Sequence, residues 1–252
     1  DGIDIGKIGG QELRKLRGSM QMIFQDPTGA LNPRMRIGQA VAEPLRIHRE
    51  GTAQERRELA VKMLERVGLT PVETFFERYP HELSGGQKQR AVIARALILH
   101  PQLVVADEPV AMADVSVRAQ LMDLLMELRS EFNLTYLFIT HDLSSASYLC
   151  DRIAVMYLGK IVELAPKDEL FDNPQHPYTR ALLSAVPIPD PTERHEKLVP
   201  KGEVPSPINP PSGCRFHPRC PYAIKGCSVE EPVLEEISPG HYVSCPVLPF
   251  RQ

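Results

Sequence analysis

The feature that most constrains this chain is an alternation of two kinds of apolar pattern. Residues 84–99 carry Val92, Ile93, Ala96 and Leu97 on one helical face, and the unbroken run Leu103-Val104-Val105-Ala106 follows. Val117, Leu121, Leu124, Leu125, Leu128 and Phe132 then recur at helical spacing, and residues 134–139 form a second apolar run. Such runs suit strands buried on both faces. Strands that alternate with helices imply an α/β architecture around a mainly parallel sheet, whose ligands bind at the carboxyl ends of the strands. Residues 20–24 read as another strand, ended at Gln25-Asp26-Pro27 because proline cannot donate to a ladder. Residues 53–67 read as an amphipathic helix stopped by Gly68, and residues 153–164 as a hairpin turning at Leu158-Gly159-Lys160.

Proline marks where this pattern ends. Seven of the 24 prolines precede residue 166, and the other seventeen fall in the last 87 residues. Residues 1–165 are therefore expected to form the α/β region and residues 166–252 a loop-rich extension, with residues 187–211 as an extended connection. Charge is nearly balanced, 29 Lys+Arg against 32 Asp+Glu, which argues against a nucleic-acid-coating role. No apolar run reaches the ~18 residues of a spanning helix.

Two carboxylates, Asp107 and Glu108, stand where the 103–106 strand should end. An acid there is costly unless it holds a cation or a hydrogen-bond network. Oxygen ligands suit Mg²⁺, and a second acid can take a proton from water. The pair could equally cap the helix that follows. Twenty residues upstream, Leu83-Ser84-Gly85-Gly86-Gln87 opens a helix. Its two glycines let a phosphate approach the backbone, Ser84 offers a hydroxyl, and the helix start favours an anion. The plainer reading is a serine N-cap beside a glycine-rich turn.

Taken together these motifs resemble the ATP-binding cassette (ABC) ATPases. Residues 83–87 resemble the signature motif, Leu103 to Asp107 the Walker B strand, and Glu108 the catalytic base. Phe24-Gln25-Asp26-Pro27 resembles the Q-loop, Asp114 the D-loop aspartate, and Thr140-His141-Asp142 the switch-histidine motif. The stretch 20–27 with Leu31-Asn32-Pro33, the stretch 173–180 and the cysteine-bearing tail resemble the dipeptide/oligopeptide importers, with nickel importers as close relatives. The resemblance implies a P-loop NTPase fold of the ABC type: a RecA-like parallel sheet and a helical subdomain at about residues 33–100.

It also implies ATP and Mg²⁺ as cofactors. Asp107 would ligate the metal, Glu108 polarise the attacking water, and Gln25 touch both. His141 would sense the γ-phosphate, Asp114 would link two sites, and Ser84, Gly85, Gly86 and Gln87 would hold the nucleotide of a facing subunit. The implied partners are a second, paralogous ATPase subunit in a head-to-tail dimer, two transmembrane permease subunits and an extracytoplasmic peptide-binding protein, with no nucleic acid. The implied place is the cytoplasmic face of the plasma (inner) membrane.

Two departures stand out. No Gly-x-x-x-x-Gly-Lys-[Ser/Thr] occurs in the 252 residues. The chain therefore reads as a fragment of a longer ATPase with an open sheet edge and apolar face, inactive alone. The alternative is a subunit that lends its signature loop to a partner's ATP. Before Asp114 stands Ala111-Met112-Ala113, where the family carries Ser-Ala-Leu; this removes a hydroxyl.

Cys214, Cys220, Cys227 and Cys245 are separated by five, six and seventeen residues. Clustered cysteines in a chain with no signal peptide suggest metal rather than disulfides. Four thiolates suit a [4Fe–4S] cluster, and the resembling transporter tails carry one; structural zinc comes next, then free thiols. Cys150 reads as a small core residue, and His48, His81, His100, His176, His195 and His241 as surface residues.

Overall fold

The structure, a computed structural model, describes residues 2–185 and 200–247. It divides into two compact units, Asp1–Asp142 and Leu143–Gln252. Most of the expected 187–211 connection, and His195, lie outside the described residues.

In the first unit α1 (Gly10–Ser19) leads into β1 (Met20–Ile23). Five helices follow: α2 (Pro27–Ala30), α3 (Ile37–His48), α4 (Ala53–Arg66), α5 (Val72–Glu77) and α6 (Gly85–Leu97). Then come β2 (Leu103–Asp107), α7 (Val115–Phe132) and β3 (Thr135–Ile139). The strands run parallel in the order β1-β2-β3, with Met22 beside Val105, Val105 beside Leu137 and Asp107 beside Ile139.

Local chemistry sets the helix boundaries. Asp26 caps α2 by accepting the Thr28 N–H at 2.8 Å, with Pro27 in the first helical position. Thr52 and Glu55 close a capping box on α4. Between the helices Ile37, Val41, Leu45, Leu64, Ile93 and Leu97 form a core with almost no exposure. Gly38 admits the Phe76 ring, since a Cβ there would lie 2.3 Å from it.

Side chains alternate across a strand, and the two faces of this sheet differ. Ile23, Val104 and Ala106 are completely buried, whereas Leu137 is 54% and Ile139 45% exposed. The reading of 103–106 and 134–139 as strands covered on both faces is therefore corrected. One side of each is covered and the other is an open apolar face.

The second unit begins with α8 (Leu143–Leu149) and a hairpin of β4 (Arg152–Tyr157) and β5 (Lys160–Pro166). The hairpin turns on consecutive positive φ angles at Leu158 (45°) and Gly159 (80°), the backbone a two-residue hairpin turn requires. α9 (Lys167–Asp172), α10 (Pro177–Ser184), β6 (Glu235–Ser238) and β7 (His241–Val243) complete it, in an antiparallel sheet ordered β4-β5-β7-β6. The core gathers Tyr157, Val162, Leu170 and Phe216, with the Tyr157 and Tyr178 ring centroids 5.3 and 5.4 Å from that of Phe216. Cys150 packs against it, half-buried.

A carboxylate inside this unit is fully enclosed. Glu163 accepts the N–H groups of Gln175 (2.8 Å) and His176 (2.9 Å) and faces His241 Nε2 at 2.8 Å. The other nitrogen of His241 lies 3.3 Å from Glu169. His176 and His241 are buried rather than on the surface. Each acts as a hydrogen-bonding partner inside the core, which their lack of neighbours in sequence hides. The Asn173 amide, and after it His241, hold the Glu169 carboxyl below the usual range.

Burial pushes the His176 imidazole down to about 4. Its Nδ1 accepts the Tyr178 N–H at 3.0 Å, which requires a bare nitrogen. The native state favours the neutral ring, so the associated stability is full above about pH 6.5 and is lost as pH falls toward about 4, amounting to roughly 3 kcal/mol. Urea unfolding between pH 7 and pH 4 should show a shallower loss of stability in His176→Asn, whose amide oxygen retains the cap, than in the wild type. Equal slopes would remove His176 from the account.

Candidate functional site

The parallel register brings three chain segments to one edge. Gln25 follows β1, Glu108 follows β2 and His141 follows β3, all at the carboxyl ends. The Glu108 N–H donates to the Ile139 carbonyl at 2.9 Å, extending the β2–β3 ladder one residue past Asp107. Glu108 then adopts φ 44°, in the left-handed region that strand residues avoid, and its carbonyl accepts the Ala111 N–H at 3.1 Å. The chain turns out of the sheet at this acid and leaves its carboxylate at the rim.

Two neighbours hold that carboxylate. Gln25 Nε2 donates to Oε2 at 2.8 Å, and His141 Nδ1 lies 3.0 Å from Oε1. The Glu108 side chain is 22% exposed and the His141 side chain 74%. A carboxylate gripped on both oxygens is fixed in direction while its partner imidazole stays open to an incoming group. Asp107, half-buried, ends β2 next to it. Carboxylate and amide oxygens of the kind Asp107, Glu108 and Gln25 carry are those Mg²⁺ takes as ligands.

Residues 83–87 behave as two features. Ser84 caps α6, its Oγ accepting the Gln87 N–H at 3.3 Å while Gln87 Oε1 accepts the Ser84 N–H at 3.0 Å. The Ser84 oxygen acts as acceptor in this box, so its proton remains available to donate outward. Ser84 and Gly85 are exposed, and a Cβ on Gly85 would meet nothing within 4 Å. Gly86 differs: a Cβ there would lie 2.7 Å from Val117 Cγ1 on α7. The sequence reading gave both glycines to phosphate approach; the geometry gives Gly86 a packing role as well. Asp114 sits at the N-cap of α7, exposed, with no capping hydrogen bond from its side chain.

The cysteines meet only in part the expectation drawn from their spacing. The Cys214 N–H donates to the Cys227 carbonyl at 2.8 Å. Burial first, and then the neighbouring thiols of Cys214, Cys220 and Cys227, push the Cys245 thiol up to about 11. Burial likewise raises Cys214 and Cys220. The four thiols thus share one neighbourhood. Among the described residues, however, no group of three or more His, Cys, Asp or Glu is arranged to hold a metal ion.

A parallel sheet with amide, carboxylate and imidazole joined at its carboxyl edge, together with a serine-capped diglycine helix start in the same unit, is chemistry suited to nucleotide phosphates. The ABC transporter family description matches residues 1–111, and that of the oligopeptide/dipeptide transporter C-terminal region matches residues 162–227. A Brucella ovis protein named as a candidate peptide import ATP-binding protein is 52% identical over 97% of this chain and 77% of its own length. The oligopeptide transport ATP-binding protein AppF of Bacillus subtilis is also 52% identical, over 97% of this chain and 74% of its own. Among solved structures, the dimeric ATP-binding cassette MJ0796 bound to ADP and Pi matches with a TM-score of 0.58 and 31% identity, over 66% of this chain and 71% of that one. The chain belongs to the ABC transporter family, in the branch that carries the oligopeptide/dipeptide transporter C-terminal region. No helix among the described residues is long and apolar enough to cross a membrane.

The dual role of Gly86 is testable. Gly86→Ala should destabilise the protein by about 1–3 kcal/mol in urea unfolding, because the branched Val117 cannot swing away. Adding Val117→Ala should recover part of that loss. Recovery of none would separate Gly86 from the α6–α7 contact.

Proposed function

We propose that this chain is the nucleotide-hydrolysing subunit of a peptide importer. The observation that carries the reading is the Glu108 carboxylate held between Gln25 and His141 at the ends of adjacent parallel strands. Fixed in that direction, Glu108 orients and deprotonates water attacking the γ-phosphate. His141 rests against it until the phosphate is present. Asp107 and Gln25 would hold Mg²⁺, which would supply neutralisation of phosphate charge. The free proton of Ser84, the bare backbone of Gly85 and Gly86, and Gln87 grip the nucleotide of a facing subunit. Asp114, uncommitted as a cap, reaches across that interface.

The partners that follow are a second ATPase subunit, paralogous and head to tail, two transmembrane permease subunits and an extracytoplasmic peptide-binding protein. The subunit then lies peripherally at the cytoplasmic face of the membrane. Peptide as cargo, rather than nickel, is supported by the names of the relatives at 52% identity. We divide the chain functionally near residue 165, which the 162–227 match supports.

Because the 252 residues contain no Walker A sequence, the assay uses a chain that carries a P-loop upstream of Asp1. There Glu108→Gln should lower ATP turnover by about 10²–10⁴-fold while ATP binding persists. Unchanged steady-state hydrolysis would overturn the role of Glu108.

We further infer that Cys214, Cys220, Cys227 and Cys245 take up a [4Fe–4S] cluster, with zinc as runner-up. Their shared neighbourhood supports this reading, and metal binding would have to draw the sulfurs together and displace their protons. Anaerobically purified protein should contain iron and labile sulfide. Zinc at one per chain with no visible absorbance would refute the cluster.

A further inference from the structure

A cleft of about 520 Å³ lies in the first unit, lined by residues from α1, from the end of α3 and from the connection between α6 and β2. Ser19, which precedes β1, and Gln102, which precedes β2, belong to its wall. The cleft is therefore at the amino ends of the strands, opposite the edge that carries Gln25, Glu108 and His141, and it is no part of that site.

Its charge is one-sided. Arg14 and Lys15 come from α1 and Arg49 from the end of α3, against the single carboxylate of Glu50, while the His48 and His100 rings complete the wall. The Arg14 guanidinium donates to the Ile47 carbonyl, which orients it without neutralising it. Among the described residues Lys15 and Arg49 have no ion pair, whereas nearby Arg46 is paired with Glu43. Arg49 occupies the left-handed C-cap of α3 at φ 61°, and His100 a left-handed position at φ 50°. The His48 ring packs on Gly18, whose absent Cβ would lie 3.3 Å from it. Three cations from two helices thus face one pocket-sized volume that holds a single carboxylate. Guanidinium forks and ammonium groups around such a volume match phosphate oxygens.

We propose that this cleft binds a small phosphate-bearing anion, at a site separate from the ATP constellation. The site stands whether or not the reading of Glu108 holds. The probe is inorganic pyrophosphate, titrated calorimetrically at low salt into a chain that carries a P-loop, with its nucleotide site saturated by a non-hydrolysable ATP analogue. One equivalent should bind per chain, and raised salt should weaken it. The double variant Lys15→Gln/Arg49→Gln, in which both exposed side chains lose charge, should bind at least tenfold more weakly, with an unchanged far-ultraviolet circular dichroism spectrum as the check on folding. Lys62→Gln, on the exposed side of α4, should bind as the wild type does. Absence of binding at millimolar pyrophosphate, or equal weakening by Lys62→Gln, would overturn the site. Co-sedimentation distinguishes the sources. Capture by phosphatidylglycerol but not phosphatidylcholine vesicles, competed by pyrophosphate and lost in the double variant, assigns a lipid headgroup. No capture, with pyrophosphate still bound, assigns a soluble phosphate.

Discussion

The first unit depends on the register of three parallel strands. With Asp107 level with Ile139, the next residue on β2 extends the ladder to the Ile139 carbonyl before the chain turns. That places Glu108 within hydrogen-bonding distance of groups that follow β1 and β3. A slip of one residue would send its side chain to the opposite face and separate it from both Gln25 and His141. The buried Ile23, Val104 and Ala106 on the covered face resist that slip, because it would expose them. Hydrophobic packing behind the sheet thus fixes the position of a polar group at its rim.

The second unit solves a different problem. Glu163 is a carboxylate within a strand and completely buried. Burying such a group is tolerated only when its oxygens are satisfied. Two backbone N–H groups from the Gln175–His176 segment and the His241 ring satisfy it, so residues remote in sequence converge on one side chain. The Asn173-Pro174-Gln175-His176-Pro177 stretch earns its shape here: it presents two N–H groups to Glu163, and His176 then caps α10. β7, which carries His241, also leads directly to Cys245.

Much of this was legible in the sequence where the signal is local. The strands at 20–23 and 103–107, the helix at 53–66 and the hairpin at 152–166 follow from apolar period, caps and turn residues. Resemblance to the ABC ATPase motifs points to Gln25, Glu108 and His141 from the sequence. What escaped was long-range. A continuous apolar run such as 103–106 looks the same whether one face is covered or two, and coverage depends on elements elsewhere. Gly86 meets Val117 thirty-one residues away, a contact that no local pattern encodes. His176 and His241 looked isolated because the partner they share, Glu163, is distant in sequence. The acid interrupting the apolar run Ile161-Val162-Glu163-Leu164 was the available hint. The cleft beside α1 is hidden for the same reason, since its wall comes from three separated segments.

The claim that Gln25, Glu108 and His141 act as one unit is tested most directly by single-turnover ATP hydrolysis in a chain carrying a P-loop. Groups that work through one another give non-additive losses. The account predicts that the triple variant Gln25→Ala/Glu108→Gln/His141→Ala hydrolyses ATP no more slowly than Glu108→Gln alone. Multiplying losses, with each substitution slowing the reaction further, would contradict it.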